Sequence, residues 1–189
     1  MLKFTVLGCI SYFGILALAS QYLPSNEKLC SSITSKDNVD IQEIMGEWRL
    51  VLLFMDDGFE GYDDDSGCVN ADFKINNSTS FTQTWYAKSM DFRYGGKLEL
   101  PTQIIPSGDW IVTDPLGGHL TVKVVYAFPT SHLTLTFCGS HNDEFTHLWT
   151  IVVTRKATIT EIDYLLLSSE LLMHGYNIKN SKMITWTKC

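Results

Sequence analysis

The sequence lacks the motifs that mark the commoner chemistries. It has no C-x-x-C pair and no tight cluster of cysteine with histidine, which argues against a structural zinc site. H-E-x-x-H, G-x-S-x-G, a phosphate loop and a dinucleotide fingerprint are all missing, so zinc protease, hydrolase and nucleotide-binding readings have no foothold. Positive charge is scarce. Fourteen Lys and Arg stand against 21 Asp and Glu, a net charge of −7, and a nucleic-acid backbone would be repelled. Beyond residue 20 no apolar run reaches the length of a membrane span. No repeat and no low-complexity linker divide the 189 residues, a length that suits one domain. The expectation is a protein that binds rather than catalyses. No cofactor, metal, nucleic-acid partner or stable membrane insertion is expected.

What is present begins with a leader. "MLKFTVLGCISYFGILALAS" carries Lys3, an apolar run from Phe4 to Leu18, and small residues at Ala17 and Ala19. That is the pattern of a secretory signal peptide cut after Ala19 or Ser20. It predicts a signal peptide over 1–20, one domain over 21–189, and a secreted, extracellular, soluble product. Cys9 leaves with the leader, and Cys30, Cys68, Cys138 and Cys189 remain. An even number in an exported chain implies two disulfides, and the sequence leaves three connectivities open. "NNST" places overlapping glycosylation acceptors at Asn76 and Asn77.

Alternation of period two runs through the middle of the chain. In "HLTVKVVYAF" Leu120, Val122, Val124, Tyr126 and Phe128 share one face; in "HLTLTFC" Leu133, Leu135 and Phe137 do, and Cys138 faces the other way. "CVNADFKI", "SFTQTWYAK" and "EFTHLWTIVVTR" repeat the pattern, and further strands read at 48–54, 90–100 and 109–114. Short turn signals separate them: "NNS", "YGG", "PSGD", "DPLGG", "FPTS" and "GSHND". About eight strands without helical crossovers form a sandwich or an up-and-down barrel. One longer connection, "MDDGFEGYDDDSG", carries six acids between Asp56 and Asp65. Counted from Asp56 or from Asp63, its twelfth residue is not the glutamate of a calcium loop, so it reads as a solvated loop.

One helix follows the strands. "TITEIDYLLLSSELLMHG" opens with Thr158 and Glu161 at capping-box spacing and closes at Gly175. Ile162, Leu165, Leu166, Leu172 and Met173 form the apolar stripe expected to lie on the strands. A last short strand, "MITWTKC", ends the chain.

"IMGEWRLVLLF" sets Gly46 two residues before Trp48 at the entrance of the first strand, and "WTIVVTRK" sets Arg155 at the end of the last barrel strand. With the meander, the late helix and the four cysteines, these marks resemble the lipocalin family, over nearly all of the chain after the leader. The family's second motif, T-D-Y, is degraded here to Thr130, Ser131 and His132. The resemblance implies an all-β fold, an eight-stranded antiparallel up-and-down β-barrel with one C-terminal α-helix packed outside. It also implies that Trp48 plugs the closed end with Arg155 across its indole, a cation–π contact. Gly46 would allow the chain to pass close beneath.

The cysteine positions resemble those of the insect lipocalins (insecticyanin, bilin-binding proteins, Lazarillo) and their vertebrate relative apolipoprotein D. That implies Cys30–Cys138 and Cys68–Cys189, with lipid handling and a part in the oxidative-stress response. Strand parity then gives Phe73, Phe81, Trp85, Phe92, Tyr94, Trp110, Tyr126, Leu135, Phe137 and Trp149 as the inward, ligand-lining set, and Gln83 and His147 as polar residues of the same parity. The reading is a carrier of one small hydrophobic ligand, either a monomer or a weak dimer. Two alternatives stand beside it: an interaction or inhibitor protein that acts through its loops, and a haem or pigment carrier in which His147 reaches the cavity.

Overall fold

The computed structural model describes residues 29–56, 68–87, 96–141, 144–156, 159–178 and 181–185. A short helix α1 (Leu29–Ser32) comes first. The strands follow as β1 (Gly46–Asp56), β2 (Val69–Asn77), β3 (Ser80–Ala87), β4 (Lys97–Ile104), β5 (Trp110–Thr113), β6 (His119–Phe128), β7 (His132–His141) and β8 (Glu144–Thr154). Helix α2 (Glu161–Met173) and strand β9 (Ser181–Thr185) end the described chain. Each strand from β2 to β8 pairs antiparallel with its predecessor, and β8 returns to β1, so the eight close into a barrel. The eight-stranded antiparallel up-and-down barrel with its helix outside is therefore as expected. β1 is the seam: Gly46–Arg49 pairs with β2, Arg49–Met55 with β8, and Leu52–Asp56 with β9.

Of the strand read at 90–100, residues 90–95 lie outside the described residues, and the fourth strand runs from Lys97 through Pro101 to Ile104. Pro101 is tolerated because pairing with β5 begins only at Thr102, so β4 has no partner on that side at the proline.

Three bulges explain how one layer of strands serves two cores. Val51, Val125 and Leu148 are each an extra residue in the ladder, between Leu50 and Leu52 on β1, Val124 and Tyr126 on β6, and opposite Phe137/Cys138 on β8. On β1 Leu50 and Leu53 face the barrel interior while Val51 and Leu52 both face out. On β6 Val124 and Ala127 face in, and Val125 and Tyr126 face out. The outward pairs join Leu29, Ile33, Phe54, Val152, Leu167, Leu171 and Tyr176 in a second core outside the barrel wall. β1 therefore reads as an unbroken apolar run because both its faces are covered.

The bulges overturn two expectations. Tyr126 does not line the interior; its ring stacks on Phe128 and meets His174 edge-on, outside the wall. His147 is likewise outside, beside Phe54 and Tyr176, with Nε2 3.0 Å from Thr150 Oγ1. In each case one inserted residue reverses the parity that a strict alternation carries forward.

Helix α2 also packs by a different face from the one expected. Leu167 and Leu171 are buried, whereas Ile162, Leu165, Leu166, Leu172 and Met173 are exposed. The helix is apolar on most of its circumference, and Leu167 and Leu171 are the members that join Phe54, Val125, Val152 and Tyr176 in the outer core. Its capping box is Thr160 with Asp163 rather than Thr158 with Glu161: Asp163 N donates to Thr160 Oγ1, and Thr160 N donates to Asp163 Oδ2. Thr160 N and Thr160 Oγ1 both donate to Asp163 Oδ2, and these two bonds hold the carboxyl below its ordinary pKa. Gly175 ends the helix with φ +84°, as a C-cap glycine does. Among the described residues no helix is long and apolar enough to cross a membrane.

Candidate functional site

The barrel has one end that is shut from below. Residues 33–45 run across it, with Ile44 fully buried and Val39, Ile41 and Met45 packed against the interior core. Polar contacts fix this segment to the wall. Lys36 N donates to Val124 O (2.7 Å), Lys36 Nζ to Ala127 O (2.9 Å), and Ser35 Oγ to Asp109 Oδ1 (2.5 Å). Cys30 anchors its start to Cys138 on β7, with Cα atoms 6.0 Å apart, the pairing that the resemblance implied. Cys138 faces outward, as strand parity required. Cys68 is also disulfide-bonded, and its expected partner Cys189 lies outside the described residues.

Trp48 sits above this floor without solvent exposure, and its Nε1 donates to Ile44 O at 2.8 Å. Arg155 lies across the indole with its Cζ 3.6 Å from the ring centroid. Its nitrogens donate to the carbonyls of Pro129, Glu47, Glu43 and Met45 at 2.8–3.1 Å. Burial pulls its pKa down from the ordinary guanidinium value, and the carbonyls and ring replace the lost water around the charge. Gly46 takes φ +91°, which a side chain resists, although a Cβ there would meet nothing nearer than Arg155 Nη1 at 3.5 Å. The glycine is required by conformation and not by crowding.

Above the plug the interior is a ladder of aromatic rings. Phe73 touches Trp48, Phe81 and Trp85 at centroid distances of 6.3, 5.5 and 6.1 Å, and Phe81 meets Trp110 edge-on at 5.0 Å. Phe137 stacks on Trp149 at 5.3 Å. Gln83 is buried among them: it accepts from Trp85 Nε1 (3.2 Å) and donates to Thr102 Oγ1 (3.0 Å), so both ends of its amide are engaged. Phe73, Phe81, Trp85, Trp110, Leu135, Phe137 and Trp149 therefore all belong to the interior. Phe92 and Tyr94 lie outside the described residues.

Exposure is graded along the barrel axis. Toward the plug, Phe81, Trp110, Val122, Val124, Leu133 and Leu135 have none. Toward the other end, where β1 finishes and β2 begins, Leu53, Val69, Trp85, Ala87 and Leu100 retain 7–8%, and Leu98, Leu120 and Trp149 are only half-buried. The aliphatic members of this open half stand outside the mostly aromatic lining set expected from the sequence. Alternation alone places Val69, Leu98 and Leu100 on the inner face, and the bulge at Val51 turns Leu53 to the same side. Leu116 and Phe145 stand exposed near this mouth, beside the start of β6 and of β8.

Outside the barrel, Asn76 and Asn77 are both exposed at the end of β2. Asn76 Nδ2 donates to Thr82 Oγ1 at 3.1 Å, while Asn77 Oδ1 accepts from Thr79 N at 2.9 Å and from Thr79 Oγ1 at 3.2 Å. Beneath α2, Thr136, Thr150, His147 and the Tyr176 hydroxyl form a buried hydrogen-bonded chain, and burial pushes the Tyr176 pKa up to about 12. His132 Nε2 on β7 and Glu170 Oε2 on the helix approach to 3.4 Å without forming a hydrogen bond.

No family model matches the chain, and no curated protein sequence does. Among solved structures it is similar to apocrustacyanin C2, at 10% identity over 87% of this chain and 89% of that one, with a TM-score of 0.62. The siderocalin Ex-FABP is similar at 13% identity over 78% and 97%, TM-score 0.59. Lobster apocrustacyanin A1 follows at 11% identity over 79% and 81%, TM-score 0.58. At such identities the likeness is one of architecture, and it agrees with the plug, the guanidinium across it and the closed eight-stranded wall: this chain has the lipocalin fold.

Proposed function

We propose that the chain is a secreted carrier of one small hydrophobic molecule, held in the open half of its barrel. The observation that carries this reading is the graded exposure of the interior. Most interior side chains near the plug are sealed, while Leu53, Val69, Trp85, Ala87 and Leu100 toward the mouth, with the half-buried Leu98, Leu120 and Trp149, keep access to solvent. A ligand of lipid type would enter between Leu53, Val69, Trp85, Leu98, Leu100 and Trp149 and lose its water there. Burial gains roughly 25 cal/mol per Å² of apolar surface, less the cost of association. Ex-FABP, on the same fold, functions through dual ligand specificities, which supports reading the interior as a ligand site.

Secretion is supported by the leader-like first twenty residues and by the Cys30–Cys138 disulfide, a bond that persists in oxidising compartments. The cysteine pattern extends the proposal to lipid handling and the oxidative-stress response of the insect-type branch. A haem or pigment carrier using His147 is not retained, because that ring packs outside the wall. The test is native mass spectrometry of the purified protein with extraction of what it carries. A single lipid-like adduct per chain is expected; a bare chain that also fails to quench on titration with fatty acid would end the carrier reading.

A further inference from the structure

Ile162, Leu165, Leu166, Leu172 and Met173 lie along one side of α2 and are each between 57% and 73% exposed. Together they leave on the order of 600 Å² of surface to water, the top of the range for a single apolar patch on a soluble monomer. With Ser169 they follow the spacing of a helix that packs against another helix along a narrow seam: two triplets seven residues apart, 162-165-166 and 169-172-173. Ser169 is the polar member of this seam, and its hydroxyl already donates to Leu166 O at 2.7 Å. It enters a dry interface without an unpaired donor, and its small side chain lets a second helix approach closely at the centre.

We propose that this face of α2 is the two-fold interface of a reversible homodimer. Antiparallel self-pairing sets Ile162 against Met173 of the second copy and Leu165 and Leu166 around its Ser169. The pair removes about 1,200 Å² from water, the lower bound of a specific interface, so the dimer is concentration-dependent. A bilayer is the poorer occupant. Helices that lie in membrane interfaces carry Lys or Arg beside the apolar face, and α2 has neither, on a chain of net charge −7.

Sedimentation equilibrium of the purified protein, from low to high micromolar, should show the mass rising from one protomer to two. Leu165→Glu with Leu166→Glu should hold it at one without lowering the melting temperature, since both side chains are exposed. Ser169→Cys treated with a short bis-maleimide should give a covalent dimer, and Leu116→Cys near the barrel mouth should give none. A single protomer at every concentration would overturn the proposal, as would a dimer indifferent to the two glutamates. Flotation with lipid vesicles that the same glutamates abolish would assign the face to a membrane instead. Slow maleimide labelling of Leu166→Cys in a monomer would show that other residues of the same chain cover the face, and would equally end it.

Discussion

The guanidinium of Arg155 lies flat enough on Trp48 to bring its Cζ within 3.6 Å of the indole centroid, while its nitrogens reach four backbone carbonyls from two separate segments. Plug and latch are one unit. Trp48→Ala should cost about 3–5 kcal/mol, the scale of truncating a buried aromatic. Arg155→Ala should cost about 1–3 kcal/mol, and urea denaturation of the double variant should fall short of the sum.

The Cys30–Cys138 bond spans 108 residues and holds the floor segment to β7. On the chain-entropy account a loop of that size is worth about 4–5 kcal/mol, so Cys30→Ser with Cys138→Ser should lower the melting temperature strongly. Calorimetry of the two forms measures the difference.

Ligand binding should respond to the mouth and not to the plug end. Ala87→Trp fills the open half and should weaken binding of a fatty acid by about tenfold or more, roughly 1.4 kcal/mol, read by quenching of tryptophan emission. Phe81→Leu, in the sealed half, should cost about 1–2 kcal/mol of stability and leave the affinity nearly unchanged. The reverse pattern would move the ligand out of the open half.

Tyr176 gives an alkaline limit. Its phenol is neutral when folded and its pKa is pushed from 10.0 to about 12 by burial. The folded state thus holds the proton more tightly than the unfolded chain. This contribution to stability is complete below pH 10 and is lost as pH rises toward 12, on the order of 3 kcal/mol in all. Urea midpoints measured from pH 8 upward should fall in that window, and Tyr176→Phe should flatten the fall.

If the chain passes through a glycosylating compartment, Asn77 should carry the glycan and Asn76 should not. Asn77 meets Thr79 through its Oδ1, the atom that glycosylation does not use, whereas Asn76 Nδ2 is bonded to Thr82 within the hairpin. Enzymatic release in oxygen-18 water, which marks the former glycosylated Asn as a labelled Asp, followed by peptide mapping distinguishes the two.

Strand order, the outward Cys138, the plug at Trp48 and the latch at Arg155 were legible because they rest on alternation, turns and two short motifs. What was hidden follows from single inserted residues. Val125 and Leu148 look like ordinary members of their strands, yet each breaks the alternation between the residues on its two sides, and so Tyr126, just after the first, and His147, just before the second, were placed on the wrong side of the wall. The facing of α2 was hidden for another reason. Tyr164, Leu167 and Leu171 compete with Ile162, Leu165, Leu166, Leu172 and Met173 for the same description, and periodicity cannot rank two apolar arcs. Only the shape of the wall beneath chooses between them.

β1 has three partners, and two of them, β8 and β9, come last in the chain. During synthesis this strand emerges early and then waits, with one whole edge and both apolar faces unclaimed, while roughly ninety more residues are made. At about 5–20 residues per second that delay is on the order of ten seconds. Cys30 waits as well, since Cys138 must be made before it can be oxidised correctly. The nascent chain therefore depends on being shielded at "LVLLF" until its final third is available, and a chain cut short before Glu144 has no way to close.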